Sequence, residues 1–137
     1  GALAVGSVGP ATGEPPTGTV SVRSTNTEQR FVDVGRPGFS LGDAFVFTSR
    51  LTQHGERVGH TGVVCTIVSR AREESQCVGT AKIHGSQIAI QGLTAGEPQS
   101  FEFPITGGTG AYEGAQGTLV VTELPGDKEQ LTFHFSS

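Results

Sequence analysis

From residue 19 onward the sequence alternates in twos. The runs TVSVRS, QRFVDV, DAFVFTSRL, TGVVCTIVS, CVGTAKI, QIAIQGL, QSFEFPI, GTLVVTEL and QLTFHF are short and rich in β-branched and aromatic residues. Between them stand clusters of turn formers: GRPGFSLG, RAREES, HGS, TAGEP, GGTG and PGDKE. Successive side chains of a strand point to opposite faces, whereas the apolar stripe of a helix recurs about every 3.6 residues. No stretch keeps the helical period over a helical length. About eight strands at this spacing predict an all-β domain, an antiparallel barrel or a sandwich.

Two of the runs are apolar on both faces. In DAFVFTSRL, Phe45, Phe47 and Ser49 share one face and Ala44, Val46 and Thr48 the other. In TGVVCTIVS, Val63, Cys65 and Ile67 oppose Val64, Thr66 and Val68. Strands of this kind are covered on both sides. In a barrel one cover is the lumen and the other is a helix, a tail or a neighbouring subunit, so an oligomer is expected.

The opening stretch GALAVGSVGPATGEPPTG has no periodicity and too little apolar surface to offset its ordering entropy. It reads as a mobile tail, residues 1–18, ahead of one all-β domain, residues 19–137, long enough to bury a real core. The chain contains no Met. Its beginning therefore reads as a processing site, such as removal of a signal peptide leaves, or as a trimmed end. The net charge of −4 offers no basic field to replace phosphate counterions, which argues against nucleic acid. The nine Lys and Arg are scattered, and no apolar run approaches bilayer-spanning length, so no membrane partner is expected.

The cysteines, Cys65 and Cys77, flank TIVSRAREESQ. A hairpin turn centred near Ala71 places them directly opposite each other, with Cβ atoms about 4.5–5.5 Å apart and close to disulfide reach. A disulfide implies an oxidising, extracellular compartment; two buried thiols in a cytoplasmic protein are the alternative. Two cysteines with no CxxC or HxxxH spacing beside them, and four isolated histidines, give no metal site.

The segment ITGGTGAYEGAQG has the glycine density of a phosphate-cradling loop but not its grammar. Gly108, Gly110 and Gly114 give GxGxxxG, and the residues after Gly117 form a strand instead of a helix. No Lys-Ser or Lys-Thr closes the segment as a P-loop would. The glycines are expected to supply positive φ and close approach between strands. Tyr112 is expected to anchor the turn by packing.

The same segment resembles the allene oxide cyclase and dirigent proteins, as do LGDAFVFTSRL, RVGHTGVVC and IAIQGL, in the same order along the chain. The resemblance covers roughly residues 40–123 and, more loosely, the last strand. It implies an eight-stranded antiparallel β-barrel with an apolar lumen, an oligomer, and chemistry by shape. Plant members guide ring closure of an unstable fatty-acid epoxide or phenoxy-radical coupling, and bacterial barrels close polyketide rings. A dry cavity folds a reactive chain so that one closure geometry is reachable.

Carried over by position, the resemblance puts Phe45 and Phe47 on the lumen wall with Val63 and Cys65 beside them. Ser49 stands where the cyclases hold a water with Asn, and Thr94 where they have a Tyr. A bridge to Cys77 would remove Cys65 as a base or nucleophile. The family's first-strand carboxylate has no counterpart; Glu28 and Asp33 are the nearest acids and read as surface charges. Arg30, or Arg23, on an early strand could bind an enolate or carboxylate if it points inward. His134 faces the lumen as an acid or base if Phe133 and Phe135 pack outside, and is otherwise a surface histidine. His60, at a strand start, reads as exposed. The expected function is binding of a hydrophobic small molecule, with stereoselective cyclisation of a natural-product intermediate and no cofactor. Catalysis would rest on confinement, with Ser49, Arg30 and His134 as the polar candidates. A non-catalytic dirigent-like binding barrel, or a secreted structural module, is the alternative.

Overall fold

The computed structural model describes residues 14–136, in which eight antiparallel strands close on themselves. They are β1 (Gly18–Val32), β2 (Ala44–Gln53), β3 (Glu56–Ser69), β4 (Glu74–Ile83), β5 (Ser86–Ala95), β6 (Ser100–Gly108), β7 (Gly117–Leu124) and β8 (Lys128–Phe135). A single 3₁₀ turn, Gly110–Tyr112, lies between β6 and β7. Each strand pairs with its sequence neighbours, and β1 pairs with β8 to close the ring. Closure leaves no free sheet edge, so no backbone ladder is left as a template for aggregation. Of the expected N-terminal tail, residues 1–13 lie outside the described residues. Pro15 is described and packs beside Gly114, and Gly18 already belongs to β1.

One half of the barrel is packed solid. Leu51, Ile83, Ile88, Phe133 and Phe135 turn inward there and are buried, with Tyr112 and Ala115 sealing the end. The Tyr112 ring stacks on Phe135 at 5.6 Å, and Phe135 on Phe133 at 6.3 Å. Tyr112 is thus the stopper of the barrel, and burial pushes its phenol above the ordinary tyrosine value.

The glycine-rich segment supplies the geometry of this closed end. A Cβ at Gly108 would strike the Tyr112 and Gln87 carbonyls. One at Gly117, where φ is +134°, would strike the His134 carbonyl of the adjoining strand. These positions bring backbones closer than any side chain allows.

Cys65 and Cys77 face each other across β3 and β4 and are joined, with Cα atoms 4.0 Å apart. The bridge spans twelve residues, so removing it frees the unfolded chain and should lower stability by about 2–3 kcal/mol. Urea unfolding of Cys65→Ala/Cys77→Ala against the parent protein measures this. Equal midpoints would show that the hairpin ladder alone holds this edge of the wall.

β1 carries a bulge. Asn26 pairs with Ser49, Glu28 with Thr48, and Thr27 is left over, its hydroxyl donating to the Thr48 carbonyl at 3.3 Å. The extra residue reverses the alternation along the strand. Val22 and Ser24 face inward before it; Gln29 and Phe31, opposite Phe47 and Phe45, do so after it.

Candidate functional site

The other half of the barrel is hollow. A cavity of about 730 Å³ opens at the end formed by the β1–β2 connection and the turns after β3, β5 and β7. Phe47, Val63, Ile90, Phe103, Leu119, Val121 and Leu131 wall it, and the plug of Ile88 and Phe133 floors it. Gly79 widens it, because a Cβ there would press within 3.1 Å of Val63 and 3.2 Å of Ile90. Phe31, Phe45 and Phe101 stand nearer the opening.

The residues expected at the lumen wall, Phe45, Phe47, Val63, Cys65 and Thr94, all border this cavity, and Cys77 borders it with Cys65. Cys65 is consumed in the disulfide and is no free thiol. Ser49 faces inward but is covered, 2 % exposed, and its hydroxyl pairs with the Thr61 hydroxyl at 2.6 Å. Thr61 is the member of that pair that reaches the cavity.

Two expectations need correction. His134 lies outside: Phe133 and Phe135 fill the barrel, so alternation turns the imidazole to solvent, where it meets the Thr19 hydroxyl at 3.4 Å. Arg30 is not lumenal either. The bulge at Thr27 shifts the phase, so Arg30 pairs with Val46 on the outward set, and it is exposed at the rim of the opening. Arg23, between buried Val22 and Ser24, is likewise exposed.

The residues that sequence reasoning missed are acids. Glu123 on β7 and Glu129 on β8 stand directly opposite each other and both line the cavity. Like charges face to face on neighbouring strands repel. Burial among apolar walls, together with the Glu123 carboxyl that hydrogen-bonds it, raises Glu129 from the ordinary value to about 8. At neutral pH Glu129 therefore holds its proton, giving an O–H donor beside the Glu123 carboxyl. The lumen thus holds acids although the first strand contributes none to it. The acids come from the last two strands.

The opening has an aromatic rim. The chain from Asp33 to Asp43 crosses beside it, tied down by the fully buried Asp43, whose carboxylate accepts the Val34 N–H at 2.7 Å and the Ser40 N–H at 2.8 Å. This holds Phe39 against Phe31 and Phe45, with ring centroids 5.4 and 6.1 Å away. Phe39 remains 65 % exposed.

Among the described residues no cluster of side chains is suited to hold a metal ion. Among the same residues no helix is long and apolar enough to cross a membrane.

The fold has known relatives. Over 86 % of this chain and 99 % of the other, the structure is similar to a pyocyanin demethylase, at 27 % identity and a TM-score of 0.78. It is similar to AbnU, an exo-specific intermolecular Diels–Alderase, at 14 % identity and a TM-score of 0.69, covering 85 % and 96 % of the two chains. It is also similar to the pterocarpan synthase dirigent protein GePTS1, at 20 % identity and a TM-score of 0.66, covering 98 % and 100 %. No curated protein matches the sequence. The family model described as the allene oxide cyclase barrel like domain matches residues 19–135. With nearly the whole barrel inside that match, the chain belongs to the allene oxide cyclase-like barrel family.

Proposed function

We propose that the barrel takes an apolar small molecule into its lumen and guides a stereoselective ring closure there without a cofactor. The observation that carries this reading is the one-ended cavity of about 730 Å³, walled by phenylalanines and aliphatics, with two acids facing each other at its neck. An interior filled by its own side chains, as in a purely structural module, would leave no such room. Diels–Alderase and dirigent activities on related barrels support ring-forming chemistry, and a demethylase on another supports small-molecule binding in this architecture.

The roles follow from position. Phe45, Phe47, Val63, the Cys65–Cys77 bridge and Thr94 form the mould that folds the substrate into a reactive conformer. Glu129, protonated, donates to a carbonyl or epoxide oxygen as it gains charge, and Glu123 accepts a hydrogen bond or a proton. Such assistance is worth about 10²–10⁴ in rate. The Ser49–Thr61 hydroxyl pair offers a weaker polar contact at the inner end. The disulfide supports an extracellular setting. On the outer face Val46, Val64 and Val78 lie side by side across three strands and stay exposed, which supports a covering subunit, as a homodimer or homotrimer.

The test is incubation with polyenes carrying a tethered diene and unsaturated carbonyl, and with unsaturated epoxides, read by chiral chromatography. One enantiomer formed faster than in buffer is expected, with Glu129→Gln slower by about 10²-fold. Tight binding with no turnover would leave the dirigent-like carrier in place of the cyclase. Neither binding nor turnover would overturn both.

A further inference from the structure

We infer that the mouth of this cavity selects apolar molecules bearing a cationic nitrogen and rejects apolar acids. The inference rests on the lumen being the ligand site and names the chemistry of the ligand.

Two independent features at the same end of the barrel point to it. The first is the sign of the lining. The charged residues around the cavity are Glu73 in the turn after β3, Glu123 on β7, Glu129 on β8 and Arg30 on β1. Three carboxyls face one guanidinium, and that guanidinium stands on the outward set of β1 in open solvent. Fields from groups in an apolar hollow are screened far less than those at the surface. An anionic ligand entering here would meet like charge at the neck, with only a solvated arginine outside to offset it. A cation would meet Glu123 and Glu129 together, and its arrival would favour release of the proton on Glu129.

The second feature is the rim. Phe31 and Phe45 line the opening with centroids 5.0 Å apart, and Phe39 closes the trio from above. Exposing a Phe by 65 % serves no folding purpose, since it leaves apolar surface in water. Aromatic faces gathered around an opening attract cations through the ring quadrupole, by about 0.5–2 kcal/mol each as water is excluded. Aromatics outside and paired acids inside form one continuous path for a greasy cation.

Three naphthalenes of matched shape test this: (2-naphthyl)trimethylammonium, its neutral isostere 2-tert-butylnaphthalene, and 2-naphthoate, titrated by fluorescence. At about pH 9 the cation should bind about tenfold more tightly than the isostere, and the naphthoate about tenfold more weakly. Lowering the pH to about 6 should shrink the cation's advantage as the pair takes up its proton. In Glu123→Gln/Glu129→Gln the cation-to-isostere ratio should fall to within about twofold, and Phe39→Ala should reduce it in part. Naphthoate bound as well as the cation, or a ratio unmoved by pH in the parent protein, would overturn the inference while leaving the lumen as a binding site. Failure of all three probes to bind would overturn the lumen reading itself. The pH series and the Phe39→Ala variant keep the test intact should the double glutamine variant fail to fold.

Discussion

Asp43→Ala should lower the free energy of unfolding by about 3–5 kcal/mol and free the segment that carries Phe39. Asp43 is wholly buried, and its two carboxylate oxygens are the partners of the Val34 and Ser40 N–H groups. Alanine would leave both donors without their partner in a part-buried site, and an abandoned buried donor costs about 1–3 kcal/mol. The backbone at this point would stay stitched, because the Asp43 carbonyl accepts the Ile67 N–H at 2.8 Å and the Gly42 N–H donates to the Ile67 carbonyl at 3.0 Å. Damage is therefore confined to the crossing strand of chain above it. Asp43→Asn retains one oxygen and should recover about half the loss. Urea unfolding measures the stability, and chymotrypsin cleavage after Phe39 measures the loosening. Equal stability of parent and Asp43→Ala, or unchanged cleavage, would show that the rim is held by its aromatic contacts alone.

That aspartate belongs to the LGD motif by which the chain resembles its family, and its physical reason shows only in three dimensions. The two side-chain hydrogen bonds reach back three and nine residues, to positions with no periodic signature. The strands were easier to read. Alternation in DAFVFTSRL and TGVVCTIVS puts Phe45, Phe47, Val63 and Cys65 on one face, and these residues do border the hollow. The turn of RAREES likewise sets Cys65 against Cys77. The two misplaced residues were each lost to the phase of their strand, for different reasons. Arg30 depends on a single extra residue at Thr27, and a bulge leaves no mark in hydrophobicity. His134 depends on which of two alternating sets is the inner one, which its own strand cannot decide without its neighbours. Glu123 and Glu129 were legible in principle. Glu123 is in phase with Leu119 and Val121, Glu129 with Leu131 and Phe133, and the PGDK turn sets them opposite. A carboxyl in phase with a core is more often the point where a strand leaves that core for water, and only the depth of the cavity distinguishes the two cases.

Raising the pH from about 6 to about 9 should lower the melting temperature by roughly 5 °C more in the parent protein than in Glu129→Gln. Folding lifts Glu129 from 4.5 to about 8, through burial first and the neighbouring Glu123 second. Between those two values the folded chain holds a proton that the unfolded chain has released. By linkage, stability must fall as pH rises through that window. Below it both states are protonated and the group contributes nothing; above it both are ionised and the full penalty persists. Water still reaches part of the carboxyl, which screens the effect and keeps the expected shift to a few degrees. Calorimetry of the two proteins across this range gives the comparison, and parallel profiles would mean that the two acids do not confront each other in solution. The sign has a consequence for the cavity. A fold that pays for two carboxyls face to face in a hydrophobic hollow is strained in the absence of a guest, and a cationic guest relieves that strain most at the pH where the empty barrel is weakest. The same naphthyl ammonium should therefore raise the melting temperature more at about pH 9 than at about pH 6, in the parent protein and not in Glu129→Gln.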